Sequence, residues 1–234
     1  MATQTVDVYA FFVNGANPST NISRVKQDIK NANGAWKGCI HFVLKGIYFS
    51  KRNLVVNANT IPSDKVFKNE QINSLIQNAR NATGNKIGIY VVYLCGEYLA
   101  EGKGKNVIGV GGTEVVYFKN KTDYELFGRI LLTDKAEGRY TLAHEIGHVL
   151  FKRYSVAWER FVHADPSGPY FNLNTRKKDF AHNNDRKNLM FPISPSFLPH
   201  ITLEQCLIAK QSKIVRKRNL KSEEKNDFIN KNYF

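Results

Sequence analysis

Residues 144–148 read His-Glu-Ile-Gly-His, and no other stretch of this chain restricts its fold as tightly. Leu142, Ile146, Val149 and Leu150 surround it with apolar side chains, as a buried helix requires, so a helix is expected from Tyr140 to about Arg153. On a helix His144 and His148, four positions apart, project from one face. Two neutral imidazoles so placed can bind one Zn²⁺, each at about 2.0–2.1 Å. Glu145, next to the first imidazole, faces the open side of such a metal. There it can take a proton from metal-activated water and pass it to a leaving amine. The plain alternative is a helix with two incidental histidines, and the apolar flanks argue against it.

The rest of the chain supplies a frame for that helix. Val6–Val13 reads as a strand, and Asn14-Gly15 with Asn17-Pro18 is turn chemistry. Ile22, Val25 and Ile29 recur at helical spacing, so a helix is expected over about 19–31. Cys39–Phe49 reads as a strand. Ile72, Leu75, Ile76 and Ala79 mark a second helix that stops at Thr83-Gly84-Asn85. Lys86–Leu94 is a continuous apolar run that suits a central strand. The glycine-rich passage from Gly96 to Gly112 lacks the Gly-Lys-Ser/Thr of a phosphate loop and reads as a mobile loop before a strand at Thr113–Phe118. After the active-site helix the pattern is irregular, with a turn at Asp165-Pro166-Ser167-Gly168-Pro169. Thr202 opens a last helix, with Gln205 completing a capping box.

At 234 residues one sizeable core is expected: a single domain whose N-terminal part spans 1–153 and whose smaller C-terminal part spans 154–234. With 42% hydrophobic residues the chain can pack such a core. No apolar run reaches the about 18 residues of a transmembrane helix. The first residues read as a strand, not a signal peptide, so the expectation is either no conventional export or a mature, delivered or secreted form. The net charge of +14 favours acidic partners, but no nucleic-acid motif is present, so no specific nucleic acid is expected. Arg216-Lys217-Arg218 reads as a solvated cluster ahead of a fraying tail. Cys39, Cys95 and Cys206 are widely spaced and odd in number, which implies neither a disulfide framework nor a Cys-x-x-Cys knuckle. Zinc must then be held by His and carboxylates.

Residues 182–192 read His-Asn-Asn-Asp-Arg-Lys-Asn-Leu-Met-Phe-Pro. Together with the His-Glu-Ile-Gly-His helix, this resembles the active site of metzincin-type zinc peptidases. In that family a third His binds the metal, and a methionine turn forms an apolar floor beneath the histidines. The resemblance implies His182 as third ligand and Met190 as the turn methionine, with Asn188 and Leu189 beside it. The pattern departs from the family's His-Glu-x-x-His-x-x-Gly-x-x-His: Phe151 stands at the Gly position and Tyr154 at the last His. Without that Gly the helix is expected to run on, and the chain to return after an insertion. His163, Asp165 and Glu159 remain alternative third ligands, and Tyr154 a weaker one because a phenol's pKa is about 10. His41 and His200 read as structural or solvated.

The expected fold is α/β and zincin-like: a mixed, mostly antiparallel sheet on two helices, the second carrying the metal, then a smaller C-terminal part. The expected function is that of a monomeric zinc endopeptidase acting on protein or peptide, with Glu145 as general base and substrate lying along the Gly109–Phe118 edge. The alternative is a basic module that binds nucleic acid or anionic surfaces and holds a structural zinc.

Overall fold

The structure, a computed structural model, describes residues 3–13, 18–50, 56–100, 106–193, 196–218 and 231–233. The turns expected around 14–17, the glycines at 102 and 104, and the tail over 219–230 lie outside the described residues.

Apolar alternation sets the first strand, β1 (Thr3–Phe12). Val6, Val8, Ala10 and Phe12 join one core cluster, while Tyr9 and Phe11 join a second on the opposite face. A helix, α1 (Pro18–Ala35), leads to β2 (His41–Phe49), and α2 (Glu70–Ala82) leads to β3 (Ile89–Tyr93). The side chain of Asn69 caps α2 by accepting from Ile72 N–H, and Gly84 and Asn85 end it at positive φ. A hairpin follows, β4 (Gly109–Phe118) and β5 (Tyr124–Leu132). Its turn is held by Asn120 Oδ1, which accepts from Thr122 N–H and Asp123 N–H.

The strand order is β2-β1-β3-β5-β4, with the short β11 (Lys231–Tyr233) beyond β2 and β10 (Arg216–Arg218) against the start of β1. This corrects the expectation of a mostly antiparallel sheet. Pairs β11–β2, β2–β1, β1–β3 and β3–β5 are parallel; β4–β5 and β10–β1 are antiparallel. The physical reason lies in the connections: α1 and α2 each carry the chain back across the sheet, so the next strand re-enters in the same direction. Every residue of β3 is buried, as the apolar run predicted for a central strand.

Helices cover both faces. On one, α1 packs beside the helix α3 (Thr141–Leu150); on the other, α2 places Ile72, Leu75, Ile76 and Ala79 over Tyr90, Val92 and Leu131. Trp36, at the end of α1, is fully buried and donates its indole N–H to Ala143 O at 3.1 Å, tying α1 to α3. Burying such a ring stabilises the fold by about 1.5–3 kcal/mol. Among the described residues no helix is long and apolar enough to cross a membrane.

The chain after α3 builds two small hairpins, β6 (Arg153–Ser155) with β7 (Arg160–Val162) and β8 (Tyr170–Asn172) with β9 (Lys177–Asp179), then α4 (Leu203–Lys210). Leu189, Met190, Ala209 and Ile214 from this part join the same core cluster as α1 and α3. Two further expectations fail here. Cys39 and Cys206, 167 residues apart, form a disulfide that fastens the end of α1 to α4; their sequence separation hid the pairing. Arg218 is not solvated: its guanidinium donates to both carboxylate oxygens of the buried Asp7, at 2.9 and 2.7 Å.

Candidate metal centre

Helix α3 is buried almost all round, with His148 the exception, because it lies between the sheet, α1 and the residues around Met190. Gly147 is required there: a Cβ at this position would run into the Met190 sulfur. Met190 thus sits directly against the turn that separates the two histidines, where the resemblance put an apolar floor. The strand β4 crosses α3 equally closely, since a Cβ on Gly111 would collide with the Glu145 carbonyl oxygen. Gly109–Phe118 is the outermost described strand beside β5, as expected. Its glycines serve contact with α3, and at Gly112 with the Phe67 ring, within the fold.

The helix does not run on. It ends at Leu150, and Phe151 caps it with its N–H on Gly147 O at 3.0 Å. The Phe151 ring is fully buried near Trp36, and Arg153 donates to the Phe151 carbonyl at 2.9 Å and to Ala164 O at 3.1 Å. A buried ring and a cation on the last carbonyl therefore do what a glycine would do elsewhere.

His182 arrives from the second hairpin and is held by a buried polar network. The carboxylate of Asp165 accepts from Gln205 Nε2 at 3.0 Å on both oxygens, and from Ser167 N–H at 2.9 Å. Asn188 Nδ2 donates to Gln205 Oε1 at 3.0 Å, and Asn188 Oδ1 accepts from Met190 N–H at 2.9 Å. Asn183 N–H bonds Met190 O at 2.9 Å, so His182 leads directly into a residue locked to the methionine turn. Gln205 also forms the expected capping box with Thr202. Gln205 and Asn188 are fully buried and Asp165 nearly so, and their polar groups are satisfied by one another.

The result brings His144, His148 and His182 together, with one candidate ligand atom from each within 4.8 Å of the others. The Nε2 atoms of His144 and His148 are 3.1 Å apart. Two nitrogens on one tetrahedral zinc stand about 3.3 Å apart, so this spacing suits a shared metal. In His144 and His182 the other ring nitrogen is engaged. His144 Nδ1 lies 2.7 Å from Leu189 O and must donate to it, which leaves Nε2 with a lone pair facing the cluster. His182 Nδ1 lies 2.7 Å from Asp179 Oδ2 and donates in the same way. Burial pushes the His144 imidazolium down to about 4, with nearby His182 adding to the effect. His148 is held well below the ordinary imidazole range, again by burial first. Both rings are neutral at neutral pH, the form that binds metals. The three histidines can hold one metal ion.

The other candidates stay apart. Asp165 opens the expected turn, with Gly168 N–H on its carbonyl, but its side chain is buried and committed to Gln205 and Ser167. Glu159 is exposed in the turn between β6 and β7. Tyr154 packs between Phe118 and Phe161. His163 lines the same cleft without joining the cluster. His41 is exposed, and His200 pairs with Asp185 at 3.2 Å.

Glu145 is buried at the floor of this cleft, which has a volume of about 970 Å³ and is bordered by β4 residues Gly109–Thr113. Burial pushes its carboxyl up to about 8, opposed by a hydrogen bond from the Gly111 backbone. Sequence reasoning missed Asp179 and Gln205 as positioning residues. For Asp179 the only available signal was an acid three places before His182; for Gln205 the cap was legible but its burial was not. The fold and the cluster define an α/β protein with three histidines close enough together to bind a metal ion. No protein-family model matches the chain, and no curated protein matches its sequence.

Proposed function

We propose that the chain is a zinc-dependent endopeptidase of the zincin class, metzincin-like in its site, with His144, His148 and His182 as metal ligands and Glu145 as general base. The observation that carries this reading is the joint placement of three imidazoles and one buried carboxyl in a cleft flanked by a sheet edge. Three imidazole ligands with a fourth position left over is the donor set of a catalytic zinc, whereas structural sites are usually closed by four protein ligands. Zinc bound there supplies Lewis acidity for the scissile carbonyl and activates water near neutral pH.

The residues of the chain do the rest. Glu145 accepts the proton of the attacking water and delivers it to the departing amine; a carboxyl whose burial raises its pKa toward the working pH can do both. Asp179 and the Leu189 carbonyl fix the rings of His182 and His144. The outer edge of β4 offers main-chain groups to an extended peptide, which would add as a further strand. The low accessibility of Glu145 keeps bulk water from its proton.

The test is Glu145→Gln. The variant should keep its zinc by elemental analysis and lose about 10²–10⁴-fold in peptide hydrolysis, because an amide cannot accept the proton. Hydrolysis within a few-fold of the unaltered chain would remove Glu145 from the mechanism.

A further inference from the structure

The cleft around the three histidines is lined by five cations, Lys68, Arg129, Lys135, Arg139 and Lys152, against two acids, Asp64 and Glu145. Two of the cations are neutralised within the fold: Arg129 pairs with Glu114 at 2.8 Å and Lys135 with Glu97 at 3.2 Å. Among the described residues no ion pair is formed by Lys68, Arg139 or Lys152. Lys68 and Arg139 are exposed, so water solvates them. Lys152 differs. It is half-buried beside His163, its ammonium stands 5.6 Å from the centre of the Phe161 ring, and the Arg129 guanidinium adds like charge to its surroundings. A half-buried ammonium without a counter-charge is a site short of an anion. Burial first, and Arg129 second, push its pKa down, which expresses the same deficit.

Lys152 follows His148 by four residues, just beyond the end of α3. Arg139 stands before the other end of α3, on the far side of the metal ligands.

We propose that Lys152 forms an anion subsite of the cleft, which takes a carboxylate of the substrate. The carboxylate is either an Asp or Glu side chain or the terminal carboxylate of a short peptide. This rests on the peptidase reading for its place in a reaction, and on the cleft alone for binding.

The experiment therefore reads binding and cleavage separately. Fluorescent peptides carrying Glu or Gln at each of three positions on either side of one bond, with free or amidated C-termini, are titrated by anisotropy against the zinc-loaded Glu145→Gln chain. One Glu position, or the free terminus, should bind about tenfold tighter than its neutral counterpart, and about 1 M salt should erase the difference. Whichever of the two carries the effect identifies the source of the carboxylate. Lys152→Arg should keep the preference, Lys152→Met should abolish it, and Lys152→Glu should turn it toward a Lys-bearing peptide. Equal binding of acidic and neutral peptides overturns the proposal. So does a preference that survives Lys152→Met and Lys152→Glu, or one that is lost in Arg139→Gln and kept in Lys152→Met. Acidic peptides that bind selectively but are cleaved by no zinc-loaded chain would leave the subsite standing and remove the peptidase reading. Cleavage without any charge preference would do the reverse.

Discussion

Helix α3 and the arm from Lys152 to Met190 bring imidazoles to one point by different means. In α3 the relation between His144 and His148 is local: four residues of helix set it, and their Nε2 atoms meet at 3.1 Å. The arm has no long element. It is two short hairpins whose strands are three residues each, and a turn. What places His182 is a set of buried side-chain bonds among Asp165, Gln205 and Asn188, whose members lie up to 40 residues apart. The helix is rigid because its backbone ladder is satisfied internally. The arm is rigid only while each buried polar group keeps its partner, since an orphaned one costs about 1–3 kcal/mol. Two ligands therefore depend on a helix, and the third on a tertiary network that any one of several substitutions can open.

The sharpest way to break this comparison is at the ligand itself. His182→Ala should lower zinc affinity by more than about a hundredfold, beyond the 10–100-fold typical of losing an outer-shell partner, as read by chelator competition. His163→Ala, in the same cleft, should change it by no more than a few-fold. The opposite result would return the third ligand to the alternatives weighed from sequence.

Next comes the network. Gln205→Ala leaves the buried Asp165 carboxylate without its two bonds from Nε2, and should cost about 3 kcal/mol in denaturant unfolding. Zinc affinity should fall with it, because the arm loses its anchor. If stability falls while zinc affinity holds, the arm does not depend on the network for its position.

Gly147→Ala probes the contact where the two regions meet. The added methyl must displace Met190, at about 1–3 kcal/mol. In a double-mutant cycle, Met190→Ala should absorb much of that cost, and strict additivity would mean that the two residues do not press on each other. The smallest effect is expected for Asp179→Asn, which keeps the shape but weakens the hold on the His182 ring. Zinc affinity should drop about tenfold, with thermal stability little changed. No change in affinity would mean that the ring needs no such orientation.

Residue spacing alone determined the helix that carries His144, Glu145 and His148, because a helical period and a buried face are local properties of consecutive residues. The same holds for α1, α2, the central β3 and the Thr202–Gln205 cap, each read from neighbours within one or two turns. A motif resemblance pointed to His182 and Met190, and the structure brings both against α3. Strand direction was not legible: whether β1, β2, β3 and β5 run parallel depends on where their crossovers pass, and antiparallel pairing was expected instead. Nor was the end of α3, where the burial of Phe151 and the guanidinium of Arg153 replace the missing glycine. The Cys39–Cys206 bond, the Asp7–Arg218 pair and the Asp165–Gln205–Asn188 network join residues from 17 to 211 positions apart. Such contacts form because the folded core brings distant polar groups into places where water cannot satisfy them, and nothing in a local stretch of sequence records that meeting.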